Sequence, residues 1–516
     1  MGSGKSTVGA RVAALLGRPF VDLDARVEER AQRSVRELWR EEGEVEFRRR
    51  ERVALGEILD AGGAPVVALG GGTLVEAGAR ALLRGRAFVV GLRAPVAVLA
   101  ARLEGARDRP LLDGDDPARA LERVVSSRRA AYELAHLWVD ADAPMEEVAR
   151  EIAEAARDRL VAVELEPAPY AVRITETPWP ALTTTVRSRR PSKVFVVTDE
   201  NVDALYGADV REALVASGVP FGAPTLLPVG EANKKLTAIE HALEQLVAGG
   251  ADRSSLVVGV GGGVVTDMAG FAASIFMRGV PWVAVPTTLL AMVDASVGGK
   301  TGVDLGDAKN AVGSFHQPFG VIVGPSLSSS ESARARRSGL AEGVKTLAVG
   351  DARAFEDLEA MASKGLPEAH ALGSVIEASI AVKAGIVARD PREDGERAVL
   401  NFGHTLGHAL EAATGFRRFA HGEAVALGMA AALRIGRELG VTPAAVEERV
   451  VGLLGRLGLD ARLGELDWGI TLPYLSRDKK RSGSSIRFVL LRELGQPHLE
   501  RLDLDRLAAL VRVLRP

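Results

Sequence analysis

The sequence predicts an α/β protein of more than one domain whose C-terminal third is mainly α-helical. Three observations predict it. The chain has 516 residues, more than the roughly 250–300 that a single hydrophobic core supports. Short apolar runs end repeatedly in glycine-rich or acidic turns and give way to helical periodicity, the pattern of a largely parallel sheet. From Glu331 onward the pattern is helical, and one stretch, Asn401–Glu423 (NFGHTLGHALEAATGFRRFAHGE), gathers three of the chain's eight histidines.

Composition excludes several classes. A hydrophobic content of 47% and a charged content of 26% are those of a soluble globular protein. A formal net charge of −3 leaves no basic footprint for nucleic acid. With no cysteine there is no disulfide framework, no thiolate metal site and no cysteine nucleophile. The start, GSGKST, is not a signal peptide. No uninterrupted apolar stretch of about 18 residues is seen, so no membrane span is expected. The expectation is a cytoplasmic protein acting on small molecules.

The first residues, MGSGKST, carry the second half of the phosphate-binding pattern G-x-x-x-x-G-K-[ST]. In such a loop the backbone around Gly2, Ser3 and Gly4 wraps a phosphate, Lys5 reaches phosphoryl oxygens, and Ser6 or Thr7 binds Mg²⁺. The helix expected over Thr7–Leu16 points its positive end at the anion. The plain alternative for this heptapeptide is a disordered start. The pattern's first glycine and the apolar strand that leads into it are absent from the sequence. Pro19–Asp24 (PFVDLD) reads as a strand, with alternation placing Asp22 and Asp24 on one side of its C-terminal end, where open α/β sheets bind ligands. The charged run Glu46–Glu51 would ordinarily be a solvated helix face. Pro65–Gly72 (PVVALGGG) is a buried strand running into glycines that let a ligand approach the backbone closely. Phe88–Leu92 is another strand. Residues 107–117 read as a mobile, charged loop, Arg128 and Arg129 precede Tyr132 in a helix, and Met145–Val163 closes the region as a helix.

In this order, GSGKST, FVDLD, EFRR, GGG, RPLL and R-x-x-x-Y resemble shikimate kinase over roughly residues 1–160. The resemblance implies a P-loop kinase domain with a parallel sheet, its first strand missing. It implies MgATP on Gly2–Thr7, with Lys5 and Ser6 foremost, Asp22 supporting the Mg²⁺ through water, and Arg109 as a lid over the nucleotide. Asp24, Arg48, the Gly71 backbone and Arg128 would hold shikimate, the arginines suiting its carboxylate and Asp24 orienting the hydroxyl that attacks.

Residues 161–169 read as a linker, with Pro167 and Pro169 favouring an extended spacer. A new alternation then begins. Tyr170–Thr175, Lys193–Asn201, Leu226–Val229, Ser255–Val260 and Trp282–Val285 read as strands. The fourth opens onto Gly261–Asp267 (GGGVVTD), a glycine turn between strand and helix, which is a pyrophosphate site in dinucleotide binders although G-x-G-x-x-G is not met. Asp294, Lys300, Lys309 and Asn310 lie beyond the fifth strand, Trp282–Val285; lysines near a glycine turn point to an anionic substrate, and surface lysines are the plain alternative. His404 and His408, four apart in an Ala- and Leu-rich segment, share one helix face, and imidazole is a common metal ligand. Satisfied histidines on a polar face are the alternative. Without cysteine a further ligand must be Asp, Glu or a third His, and Glu342, in an apolar helical segment, is the best placed. Lys383, Arg389 and Arg397 precede the cluster; Asp478-Lys479-Lys480 precede a hairpin-like segment, Ile486–Leu491.

GGGVVTDMAGF, VPTTLLAMVDASVGGKTGVD, KNAVGSFHQP, GLAEGVK, RAVLNFGHTLGHALE and HGEAV resemble 3-dehydroquinate synthase over roughly residues 165–516. The resemblance implies a Rossmann-like NAD-binding α/β domain (170–325) and a mainly α-helical metal-binding domain (326–516). It implies Glu342, His404 and His421 as ligands of one Zn²⁺ or Co²⁺, with His408 facing the substrate phosphate, unlike the helical-pair reading. Asp199, Glu231, Lys234, Gly263, Val264, Val265, Thr266, Asp267, Thr287, Thr288, Lys300 and Lys309 would meet NAD. Asp294, Lys300, Lys309, Asn310, Lys345, Lys383, Arg397, Asn401 and Lys480 would line the substrate pocket. Arg278 would reach across a homodimer into the partner subunit's site. Two stretches depart from the family pattern: Ser326–Ser332 is serine-rich, and Val229 stands where Asp is common. The expectation is a fusion of the two enzymes. The rivals are a cyclase of another sugar phosphate, an NAD- and metal-dependent polyol dehydrogenase, and a synthase with a degenerate kinase half.

Overall fold

The structure, a computed structural model, describes residues 2–103, 117–166, 168–306, 308–393, 395–475, 481–482, 485–512 and 514. Arg109 and Lys480 therefore lie outside the described residues. The chain forms two compact units: residues 1–173, 179–192 and 210–220 make the first, and residues 174–178, 193–209 and 221–516 the second.

In the first unit the helix Lys5–Leu16 follows Gly4, whose φ of 81° is left-handed, a conformation open to glycine at no steric cost. Its Val8 and Val12 pack on Val139, Val148 and Ala149. Four of its strands form two separate parallel pairs. Phe20–Asp22 lies beside Val66–Ala68, and Val90–Arg93 beside Leu137–Asp140. The first strand stops at Asp22, not Asp24. The Asp22 carboxylate accepts from the backbone N–H of Asp24 at 3.1 Å and of Ala25 at 3.3 Å. That makes it the N-cap of the helix Leu23–Ala31, the role aspartate favours, and places Asp24 in the helix's first turn. A second difference lies at the end of the region. The helix Met145–Ala155 stops early, and Arg159–Val163 is a strand with alternating burial, as its β-branched valines favour.

In the second unit five parallel strands run in the order Gly320–Val323, Trp282–Pro286, Leu256–Gly261, Val194–Asp199, Thr225–Leu227. The helix Gly263–Ile275 packs closely on them: a Cβ at Gly259 would stand 2.7 Å from Ala269 Cβ. Helices Ala333–Gly350, Gly373–Arg389, His404–Ala413 and His421–Glu438 carry the residues of interest in the C-terminal region. The last two can approach because Gly403 has φ of 78° and a Cβ there would lie 2.8 Å from the Val425 carbonyl and the Met429 nitrogen. Ala369–Arg389 is long and apolar enough to cross a membrane by length and composition, although Glu377 and Lys383 interrupt its apolar run. Half of it is buried in the fold, and its Lys383 ion-pairs with Asp294, so in this structure it is a core helix. The hairpin expected over Ile486–Leu491 is present as Ser485–Glu493 paired antiparallel with Gln496–Asp503.

Candidate functional site

The helix His404–Ala413 carries His404 and His408 one turn apart, and His421 opens the next helix. The close approach at Gly403 brings the three rings together. Centroids lie 5.1 Å (His404–His408), 5.5 Å (His404–His421) and 5.8 Å (His408–His421) apart, and a nitrogen from each lies within 4.8 Å of the others. Glu342, on Ala333–Gly350, is fully buried beneath them. Its Oε1 stands 3.4 Å from His404 Nε2 and 3.4 Å from His421 Nε2. Ligand atoms held tetrahedrally at about 2.0–2.1 Å from Zn²⁺ stand about 3.3–3.4 Å apart. Neither Glu342 oxygen completes a hydrogen bond of good geometry, although Lys345 Nζ lies 2.5 Å from Oε2. A buried carboxylate left so is costly unless a cation satisfies it. The donor set therefore fits a divalent metal.

Glu411, also buried, sits 3.4 Å from His421 Nδ1, where it can turn Nε2 toward Glu342. Burial works against a charged His421, but hydrogen bonds to Glu342 and Glu411 outweigh it and push the imidazole up to about 10. Burial likewise opposes ionisation of Glu342, yet Lys345, His404 and His421 hold it well below the carboxylate range. Both shifts mark the cluster as a place for positive charge.

Beside it, Lys383 Nζ donates to Asp294 O and Oδ1, both at 2.7 Å, and Lys345 Nζ lies 3.8 Å from Asp294 Oδ1. Against burial, these two lysines keep Asp294 ionised far below its usual value. Burial lowers Lys383, and the neighbouring Arg397 adds to this. Lys300 pairs with Glu393, whose Oε1 accepts from Asn401 Nδ2 at 2.8 Å. Arg397 anchors the same loop by donating to Pro391 O at 2.8 Å. Lys309 Nζ lies 3.7 Å from Glu411 and 4.0 Å from Glu231. Glu393 and Glu411 escape the sequence reading. The only signal for Glu411 is its place seven residues after His404, on the same helix face; Glu393 offers none.

The glycine turn is built as expected of a dinucleotide site. Gly262 caps the helix Gly263–Ile275, whose first turn holds Val264, Val265 and Thr266. Thr287 N donates to Gly261 O at 2.9 Å, and Thr288 Cγ2 lies 3.0 Å from where a Cβ on Gly262 would be. Lys234 Nζ bonds Asp267 Oδ2 and Asn310 Oδ1, each at 2.6 Å. Burial pushes Asp267 up to about 6 although Lys234 opposes it. Asp199 Oδ1 accepts from Asn201 N at 2.9 Å and Val202 N at 3.0 Å. Arg278 is not drawn into this cluster; it is exposed at the end of the turn Phe276–Arg278.

In the first unit Ser6 Oγ donates to Asp22 Oδ2 at 2.5 Å, joining the two side chains expected near Mg²⁺. Arg128 donates to Gly71 O at 3.1 Å and Tyr132 Oη to the same oxygen at 2.7 Å. A Cβ at Gly72 would overlap the Arg48 guanidinium, and one at Gly70 would meet Asp24 Oδ1 at 2.8 Å. Asp24, Arg48, Gly71 and Arg128 are thus gathered. Glu51, 1% exposed, pairs with Arg48 at 2.6 Å and accepts from Thr73 Oγ1 at 2.5 Å. It too escapes the sequence reading, because its charged run looks solvated.

Both halves of the chain are similar to known proteins. Residues 1–157 match the family model of shikimate kinase, residues 224–337 that of the 3-dehydroquinate synthase N-terminal region, and residues 339–481 that of its C-terminal region. The chain is 42% identical over 308 residues to 3-dehydroquinate synthase of Solibacter usitatus, covering 60% of this chain and 85% of that one. It is 45% identical over 301 residues to that of Symbiobacterium thermophilum, covering 58% and 84%. Among solved structures, 2-epi-5-epi-valiolone synthase from Streptomyces hygroscopicus, with NAD⁺ and Zn²⁺ bound, is similar at a TM-score of 0.59 and 27% identity over 66% of this chain and 96% of that one. With its buried Glu–His cluster and its glycine turn in the matched segments, the chain belongs to the 3-dehydroquinate synthase family and carries a shikimate kinase domain fused ahead of it.

Proposed function

We propose that the second unit converts 3-deoxy-D-arabino-heptulosonate 7-phosphate to 3-dehydroquinate and phosphate, and that the first phosphorylates shikimate with ATP, two steps of aromatic amino-acid biosynthesis. The observation that carries the synthase reading is the Glu342, His404, His421 set beside a pocket of fixed cations. A divalent metal held by that set would polarise the hydroxyl being oxidised, with NAD on the Gly261–Asp267 turn taking up and returning a hydride. Lys345, Lys383 and Arg397 supply charge for the substrate's carboxylate and phosphate. Lys300 and Asn401 already grip a carboxylate, that of Glu393, and can grip a substrate oxygen in the same way. His408, at the rim of the cluster, faces the phosphate.

In the first unit Arg48 and Arg128 hold the shikimate carboxylate, Asp24 orients the attacking hydroxyl, and Ser6 with Asp22 serves Mg²⁺; catalysis is then positioning and charge stabilisation. The domains run 1–160, 170–325 and 326–516. The synthase half forms a homodimer through Arg278, in line with its exposed setting; only monomer in sedimentation at micromolar concentration would count against this. A cyclase acting on a different ketose phosphate is the second reading, favoured by the likeness to the valiolone synthase. The test is phosphate release from the heptulosonate phosphate with and without a chelator. We expect release without net NADH, abolished by chelation. Net NADH, or release only from another ketose phosphate, overturns the assignment.

A further inference from the structure

The serine-rich stretch Ser326–Ser332, which departs from the family pattern, folds as a bracket in the second unit. A 3₁₀ turn, Pro325–Ser330, runs into Glu331, and Ser332 then caps the helix Ala333–Gly350 that carries Glu342 and Lys345. Tyr206 Oη donates to Leu327 O at 2.8 Å, tying the turn to the helix that follows Asp199. On its other side Glu331 reaches back across the chain, where its Oε2 accepts from Leu289 N–H at 2.8 Å. Leu289 follows Thr287 and Thr288, the threonines beside the glycine turn. Thr288 holds the bend from within: its Oγ1 accepts from Ala291 N at 3.3 Å and its O from Met292 N at 2.9 Å. The helix Ala333–Gly350 lies on the same spot, since a Cβ at Gly339 would stand 2.6 Å from Leu290 N and 2.9 Å from Leu289 Cβ. The bend continues into a π turn, Ala291–Ala295, a form often met at functional sites. That turn delivers Asp294 to Lys383 and Lys345.

One side chain thus joins the threonine turn to the helix that bears the carboxylate of the metal cluster. We propose that Glu331 is a positioning residue for the dinucleotide: its neutral carboxyl clasps the Thr287–Leu289 turn against the helix Ala333–Gly350, and NAD binding takes up a proton there. The clasp deepens the NAD reading above and rests on it. Burial pushes Glu331 up to about 7, opposed by the Leu289 N–H and by Arg336, the charged group that acts on it from the helix Ala333–Gly350. The serines of the 3₁₀ turn, Thr288 and Leu289 bring no titratable group. Near neutral pH the carboxyl is therefore divided between its two forms. A pyrophosphate on Gly261–Asp267 adds negative charge beside Thr288 and disfavours the ionised form further. Binding that raises a group's hold on its proton is strongest where the group is protonated, so NAD affinity is greatest below pH 7 and falls as pH rises through it. Asp267, pushed up to about 6 by burial and bonded by Lys234, also titrates in this pocket, at lower pH.

The test is titration calorimetry of NAD on the full metal-loaded chain at pH 6.5 and 8.5. At pH 7.5 it is repeated in two buffers of different ionisation enthalpy, which counts the protons taken up. Three proteins are compared: the unchanged chain, Glu331→Gln, which keeps an acceptor for Leu289 but cannot ionise, and Glu331→Ala, which leaves that N–H without one. For the unchanged chain we expect NAD to bind about threefold or more weaker at pH 8.5 than at 6.5, with net proton uptake at 7.5. Glu331→Gln should flatten that window and lose the uptake, while its affinity at pH 6.5 stays within about threefold. Glu331→Ala should bind about tenfold or more weaker at both pH values. Asp267 is present in all three, so its own titration cancels in the comparison. Equal pH dependence and equal uptake in the unchanged chain and Glu331→Gln overturn the proposal, as does Glu331→Ala binding as tightly as the unchanged chain. If Glu331→Ala fails to fold, the pair of unchanged chain and Glu331→Gln decides alone. No NAD bound by the unchanged chain overturns the NAD reading itself; NAD bound alike by all three leaves that reading standing and removes the clasp.

Discussion

In the second unit Val194–Asp199, Leu256–Gly261 and Trp282–Pro286 each pair on both sides and are buried almost throughout. In the first unit the strands Phe20–Asp22, Val66–Ala68, Val90–Arg93 and Leu137–Asp140 are three or four residues long, pair on one side and are mostly half-buried. The local sequences do not explain the contrast, because VVA and VGLR are about as apolar as VFVVTD and LVVGVG. Neighbours explain it: a strand's burial is set by what lies beside and above it. Asp24, Arg48 and Arg128 ride on the helices Leu23–Ala31, Val35–Asp60 and Pro117–Tyr132, so they gather although the two strand pairs are separate.

The largest effect tests the buried side of this contrast. Glu342→Gln removes the one carboxylate that faces both His404 and His421. We expect loss of bound metal and a fall in synthase turnover of about 10³-fold or more, about 4 kcal/mol, with the fold retained. Full metal occupancy by elemental analysis would contradict it.

A smaller effect appears in stability. Burial pushes Glu331 up to about 7, although its bond from Leu289 N–H opposes the shift. The folded chain then keeps a proton that the unfolded chain releases above about 4.5. Stability from this group is present below pH 4.5 and is lost as pH rises toward 7, by about 1.4 kcal/mol per unit or about 3 kcal/mol in all. Glu331→Gln keeps an acceptor for Leu289 and should flatten that slope. Urea midpoints at pH 4.5 and 7.5 measure it; an unchanged pH dependence would speak against burial as the cause.

The smallest effect probes the first unit. Glu51→Gln loosens Arg48 without touching the glycine loop. We expect the KM for shikimate to rise about tenfold, about 1.4 kcal/mol, with kcat within about threefold, the pattern of lost uniform binding. A loss confined to kcat would place Glu51 in the reaction itself.

Much of the synthase site is legible in the sequence because its chemistry sits on unusual residues at fixed spacings: three histidines within one span, a carboxylate in an apolar helix, lysines near glycine turns. The hidden parts depend on packing. Glu411 looks like any surface acid in HALEAA until the helix His421–Glu438 covers it. Glu393 belongs to a charged loop whose side chains would ordinarily face water. Alternation carries the first strand on to Asp24 because it ignores the helix cap that Asp22 makes, and Arg159–Val163 reads as helix because its charged flank continues the preceding period.

The central claim is that Glu342, His404 and His421, and not the helical pair His404 and His408, make the metal site. Nothing in the ring spacings alone decides it, since all three histidines lie within one cluster. The decisive measurement is metal content per chain in His404→Ala and His408→Ala, purified side by side. The account predicts that His404→Ala loses the metal while His408→Ala keeps it and turns over about 10–100-fold more slowly. Equal metal loss in the two variants would restore the helical pair and contradict the ligand set.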